Sequence, residues 1–251
     1  MLKIRVIPTI LTDGYSQVKG ESFNSWRTVG SVITAAKVFA RRDVDELVLL
    51  DVKARSKNKT IDKSLVATLA EFLRVPFAVG GGIDSIEDIQ DLLSLGADKV
   101  ILGTAAVDNP HLIAEAAKMF GSQAVVCAVD YRNEVGTYSV ACESGTRSVN
   151  CSPLHLASIA QNNGAGEILL QNIDMDGTLK GVDVDIVKVL QAELNIPLIS
   201  SGGVGKLEDF ESLFAAGASA VAAGAIFQFT QVTPREVRRY LDDKGYPVRS
   251  Y

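Results

Sequence analysis

The chain has 251 residues, 47% of them hydrophobic, which is enough to bury a large core at a length that an α/β barrel uses in one domain. Its formal net charge of -5 is spread without long like-charge runs, so it carries no electrostatic footprint for nucleic acid, and no apolar run reaches the roughly 18 to 20 residues that span a membrane. Cys127, Cys142 and Cys151 lack CxxC spacing, which argues against disulfides and structural zinc, and neither a metal nor a cofactor is expected.

The amino terminus, MLKIRVIP, enters a strand pattern directly with no secretory h-region, which reads as the mature start of a cytoplasmic protein. Short apolar, β-branched runs then recur, ending near Ile7, Leu50, Val79, Leu102, Val129, Leu170, Ser200 and Ala223. After the first of them, residues 12 to 30 read as a long loop carrying Tyr15 and Trp26, either a lid over the mouth or a mobile segment. Between the later runs, apolar residues fall at helical spacing, as in Ile86, Ile89, Leu92, Leu93 and in Phe210, Leu213, Phe214, with Gly96-Ala97 and Gly217-Ala218 at the helix ends. His111 and His155 start predicted helices without a second ligand at metal spacing, which suits capping or surface placement. Eight strand-helix units predict a single (β/α)8 barrel domain over residues 1–251.

The chain also repeats itself at an offset of about 121 residues. Asp45-Glu46-Leu47-Val48-Leu49-Leu50 aligns with Gly166-Glu167-Ile168-Leu169-Leu170-Gln171, Val75-Pro76 with Ile196-Pro197, and Gly81-Gly82-Ile83 with Gly202-Gly203-Val204. One register held through these landmarks predicts two duplicated half barrels.

Each half places glycines between a strand and a helix: Gly80-Gly81-Gly82 in the first, Ser201-Gly202-Gly203 and Ala223-Gly224-Ala225 in the second. Backbone N–H groups exposed there, beside a helix start, suit an anion, and one such place per half implies a ligand with two phosphates. The candidate contacts are Gly81, Gly82, Gly103, Thr104, Gly177, Ser201, Gly202, Gly203, Gly224 and Ala225, with plain turn glycines as the competing reading. Among acids at predicted strand ends, Asp130 closes AVVCAVD, Asp51 closes VLLD, and Asp174 and Asp176 lie in IDMDGT. Asp130 is the strongest candidate for acid–base work, whereas Asp51 and Asp176 suit either chemistry or loop-ordering.

With these segments in hand, the chain resembles the cyclase subunit of imidazole glycerol phosphate synthase, the HisF family, through VDELVLLD, VGGGI, GADKVILGTAAV, GAGEILLQNIDMDGT, SGGVGK and GASAVAAG. The resemblance implies a lyase that takes ammonia from a glutaminase partner of HisH type and uses it on a bis-phosphorylated ribonucleotide in histidine biosynthesis. It further implies that Arg5, Glu46, Lys99 and Glu167 form a charged ring at the strand-start end through which ammonia passes, with the partner docked there near Asp98. In that family two aspartates, ending strands 1 and 5, act as acid and base. Asp130 matches the second, but the position of the first falls at Ile10 or Leu11, with Asp13 two residues further along as a substitute. Gly103 and Gln171 also depart, where the family usually has Asn and Thr. The resemblance is therefore read toward a paralogue that supplies ammonia to a sugar amidotransferase in acetamidino-sugar (lipopolysaccharide) biosynthesis; the alternatives are a genuine histidine-pathway cyclase and a non-catalytic barrel that activates a glutaminase.

Overall fold

A computed structural model describes residues 3–42 and 44–249, so that Met1 and Leu2, on which the reading of the amino-terminal start relies, lie outside the described residues. The strands are β1 (Arg5–Thr12), β2 (Gln17–Glu21), β3 (Asn24–Gly30), β4 (Leu47–Asp51), β5 (Phe77–Gly80), β6 (Lys99–Leu102), β7 (Val125–Glu134), β8 (Thr137–Cys142), β9 (Arg147–Val149), β10 (Glu167–Asn172), β11 (Leu198–Ser201) and β12 (Ala220–Ala223). Eight of them pair in parallel in the order β1-β4-β5-β6-β7-β10-β11-β12, and β12 pairs back onto β1, which closes the barrel. Closure leaves no free edge on the parallel sheet.

Strand alternation divides the apolar residues into two sets. Ile7, Val48, Ala78, Ile101, Val126, Leu169 and Ile199 fill the barrel interior, whereas Val6, Ile10, Leu47, Leu49, Val79 and Val100 face the surrounding helices. Helix starts are capped by side chains at Ser31, Asp62, Ser85, Ser152, Asp183 and Thr233. His111 and His155 sit exposed in the first turns of their helices.

The duplication is present in the geometry. Adding 121 to Phe77–Gly80 gives β11, adding it to Lys99–Leu102 gives β12, and adding it to the helix Ile86–Ser94 gives the helix Leu207–Ala215. The same shift carries β2 onto residues 138–142 of β8, so each half sends an antiparallel hairpin toward the same end of the barrel.

Two expectations change. The first strand does not stop near Ile7 but runs to Thr12, and β7 continues through Asp130 to Glu134. The segment 12 to 30 is largely not loop: β2 and β3 form a hairpin whose two-residue turn, Ser22-Phe23, has φ of 49° and 59°. Such mirror-image turns normally advertise themselves with Asn-Gly or Asp-Gly, and Ser-Phe gives no such signal.

Candidate active site at the barrel mouth

The strand carboxyl ends open into a two-lobed cavity. The first lobe, about 110 Å³, is lined by Leu11, Leu50, Asp51, Gly81, Gly82, Ile101, Gly103, Thr104, Ala128, Asp130 and Gln171, with Phe23 and Trp26 reaching in from the hairpin. The second, only about 20 Å³, is lined by Thr9, Leu11, Lys19, Gln171, Asp176, Gly177, Ser201, Gly202, Gly203, Gly224 and Ala225. Leu11 and Gln171 belong to both, so they form the septum. Every predicted phosphate-loop residue lines one lobe or the other, divided between them as the two half barrels are.

The glycines have a conformational reason as well. A Cβ on Gly82, at φ 65°, would lie 1.9 Å from the Lys59 carbonyl oxygen, and one on Gly203, at φ 93°, 1.9 Å from that of Gly181. The backbone demands glycine at both positions whether or not an anion binds. Gly103 differs: its φ is ordinary and a Cβ there would meet nothing closer than Ala128 at 3.9 Å, so a side chain would enter the first lobe freely. The short helices Thr104–Asp108 and Ala225–Phe229 begin at the lobes, where their first N–H groups have no intrahelical acceptor.

β7 delivers Asp130 into the first lobe from the interior face that it shares with Val126 and Ala128. Burial, and then the charge of Asp176, push its carboxyl up to about 7. Asp176 is raised by burial to about 6, an effect that Lys19 opposes. Lys19 was not singled out in the sequence. It rides in on the hairpin, buried, and its ammonium donates to the Thr9 carbonyl at 3.3 Å, while burial pulls it down to about 8 against the pull of Asp176. A Cβ on Gly224 would come within 2.0 Å of Lys19 Nζ, so the absence of a side chain there is what lets the lysine in. Beside it the buried Thr9 hydroxyl has no hydrogen-bond partner among the described residues. The only sequence clue to Lys19 is its place after strand 1, and reading that stretch as loop hid the alternation that aims it inward.

The hairpin is docked shut. Ser22 donates its N–H to the Asp176 carbonyl at 2.8 Å and its hydroxyl to the Asp174 carbonyl at 2.9 Å. These two bonds hold the hairpin over the second lobe, with Lys19 beneath it.

The remaining acids go elsewhere. Asp51 lines the first lobe, but its carboxylate accepts the Lys53 and Ala54 N–H groups at 2.8 and 2.9 Å, the loop-ordering role. Asp13 is not brought into the cavity; its carboxylate accepts the N–H groups of Tyr15 and Ser16, which hold it below the usual carboxylate range. Asp174 is tied to Arg132 at 2.7 Å. Between the two positions proposed for the missing acid, Leu11 lines both lobes and Ile10 is fully buried against the helix layer.

At the opposite end the four predicted charges form a closed ring: Arg5 to Glu46 at 2.7 Å, Arg5 to Glu167 at 3.0 Å, Lys99 to Glu46 at 2.9 Å and Lys99 to Glu167 at 3.1 Å. Burial lowers the Arg5 pKa, but Glu167 and Glu46 outweigh it and leave the guanidinium raised. Asp98, beside the ring, accepts the Phe77 N–H. The apolar interior layer separates the ring from the mouth.

Fold and mouth together define a (β/α)8 barrel of duplicated halves with a carboxylate–lysine cavity at its strand carboxyl ends, where such barrels carry out their chemistry. A family model described as "Histidine biosynthesis protein" matches residues 5–233. The chain is 40% identical over 254 residues to imidazole glycerol phosphate synthase subunit HisF of Thermobifida fusca, and 40% identical over 249 residues to the HisF subunit of Thermococcus onnurineus, covering 99% of both chains in each case. It is 38% identical over 249 residues, again 99% of both chains, to a Campylobacter jejuni protein named "Putative imidazole glycerol phosphate synthase subunit hisF2". The chain belongs to the histidine-biosynthesis family, as an enzyme subunit of HisF type.

Proposed function

We propose that this chain is the ammonia-using barrel of a two-subunit glutamine amidotransferase, with a HisH-like glutaminase docked on the strand-start face and a phosphorylated small molecule at the mouth. Ammonia would pass the Arg5–Glu46–Lys99–Glu167 ring and the apolar interior, which favours neutral ammonia over ammonium because a charge pays its desolvation cost there. Within this reading we favour a paralogue that delivers ammonia toward acetamidino-sugar synthesis over a histidine-pathway cyclase. One observation carries the preference: Leu11 occupies the mouth opposite Asp130, and a leucine neither gives nor takes a proton. The likeness to the Campylobacter hisF2 protein, at 38% identity, fits a second HisF-type subunit without naming its product, while the 40% identity to HisF subunits supports the cyclase. Asp130, with Asp176 and Lys19, would provide the proton transfers that remain.

The deciding experiment is an ammonia-dependent cyclase assay of the purified chain with the histidine-pathway substrate. Turnover at least about 10²-fold below ordinary cyclase rates is expected, from the usual contribution of one positioned acid or base. Ordinary turnover, or rescue of a histidine auxotroph lacking its cyclase, would establish the cyclase reading instead. Gel filtration and glutaminase assays with a HisH-like protein of the same genome test the partner; no complex and no activation would leave a barrel without its ammonia source.

A further inference from the structure

A groove of about 420 Å³ runs outward from the first lobe, and the chemistry above does not use it. Its inner wall is the hairpin tip, with Phe23 and Trp26 half-buried, their centroids 6.4 Å apart and planes tilted by 37°. Its outer wall is the loop after β4, carrying Lys53, Arg55 and Asn58, and the β8–β9 turn closes the end with Ser144. Phe23, Trp26, Arg55 and Ser144 line lobe and groove alike, so the two spaces are continuous.

The walls are fixed to the lobe. Glu143 donates its N–H to the Thr104 hydroxyl at 2.9 Å, Ser144 donates its hydroxyl to the Val52 carbonyl at 2.9 Å, and Asp84 and Asp108 hold Arg55 at 2.9 and 3.6 Å. Lys53 makes no ion pair among the described residues. Half-exposed aromatic faces stack on planar rings of any identity, and an amide such as Asn58 offers both a donor and an acceptor to a ring edge; of the charges lining the groove, Arg55 is paired with Asp84 and Asp108, and Glu143 with Arg147 at 2.9 Å, which leaves the Lys53 ammonium for a second phosphate.

We infer that the groove is a subsite for a nucleoside diphosphate, its terminal phosphate over Gly81, Gly82 and Thr104, its inner phosphate against Lys53, and its base stacked on Trp26. The inference rests on the phosphate reading of the first lobe and adds the class of molecule that carries the phosphate.

Trp26 is the one tryptophan in the chain, so its fluorescence reports the groove and the lobe that opens into it. We would titrate the chain with ADP, UDP, ribose 5-phosphate, glucose 1-phosphate and inorganic phosphate, following tryptophan emission and, in parallel, heat. Both nucleoside diphosphates should quench Trp26 and bind about tenfold or more tighter than ribose 5-phosphate, since one base–aromatic stack contributes about 5- to 150-fold in affinity. Trp26→Ala should cut that advantage by about fivefold or more, the share of the stack, and Trp26→Phe, which keeps a stacking face, should retain most of it. Equal affinity for ribose 5-phosphate and the nucleotides, an advantage that Trp26→Ala leaves undiminished, or preference for glucose 1-phosphate would each overturn the nucleotide subsite alone. Failure of every phosphate to bind would overturn the phosphate lobe along with it.

Discussion

Asp130→Asn should make the protein more stable at alkaline pH, although it removes the strongest catalytic candidate. In the native chain the carboxyl is pushed from 3.8 up to about 7, first by burial and then by Asp176. Between those two values the unfolded chain gives up the proton while the native chain keeps it, so the native state binds more protons and stability falls as pH rises; the loss is complete above about pH 7. Roughly three pH units at about 1.4 kcal/mol each set an upper limit near 4 kcal/mol, and the opening of the lobe to solvent reduces it. About 2 to 3 kcal/mol of this falls between about pH 5 and about pH 8. Asparagine has no proton to lose, so in urea unfolding the stability of the variant relative to the parent should rise by about 2 to 3 kcal/mol from near pH 5 to near pH 8, with equal slopes. A stability difference that does not change with pH across that interval would show that Asp130 titrates in the ordinary carboxylate range, and the argument that it is poised for proton transfer at neutral pH would fall.

The missing acid has a positional test: Leu11→Asp should raise ammonia-dependent cyclase turnover by about 10²-fold or more, whereas Ile10→Asp should leave turnover unchanged and destabilise the fold, because Ile10 is fully buried against the helix layer; reversed outcomes in turnover and urea assays would reassign the face. Gly224→Ala puts a methyl where the Lys19 ammonium lies, so calorimetry should show phosphate binding to the second lobe weakened by about tenfold with circular dichroism unchanged, and unaltered affinity would remove Lys19 from the site. Glu46, 1% exposed and bonded to both Arg5 and Lys99, is the keystone of the ring; Glu46→Ala should cost about 3 to 5 kcal/mol in urea unfolding, and a loss below about 1 kcal/mol would mean that the ring is hydrated and loose.

The barrel, its duplication and the division of its glycines between two lobes were legible in the chain, because strand and helix periods, a fixed 121-residue register and glycines at strand ends are local or translational features. The strand-start ring was legible only through the likeness to HisF, since nothing local tells Arg5 that Glu167 lies across the barrel. What the tertiary structure decided depends on which face of a strand a residue occupies and on what crosses above it. A one-residue ambiguity between Ile10 and Leu11 is negligible along the chain, yet it exchanges the helix layer for the mouth because side chains alternate. Lys19 escaped attention because its hairpin turns at Ser22-Phe23 instead of a glycine signal, and its value lies in contacts with Thr9, Asp176 and Gly224 that only folding brings together. Asp13 shows the reverse: two residues from the required position in sequence, it spends its carboxylate on the N–H groups of its own turn, which local hydrogen bonding settles before any substrate arrives.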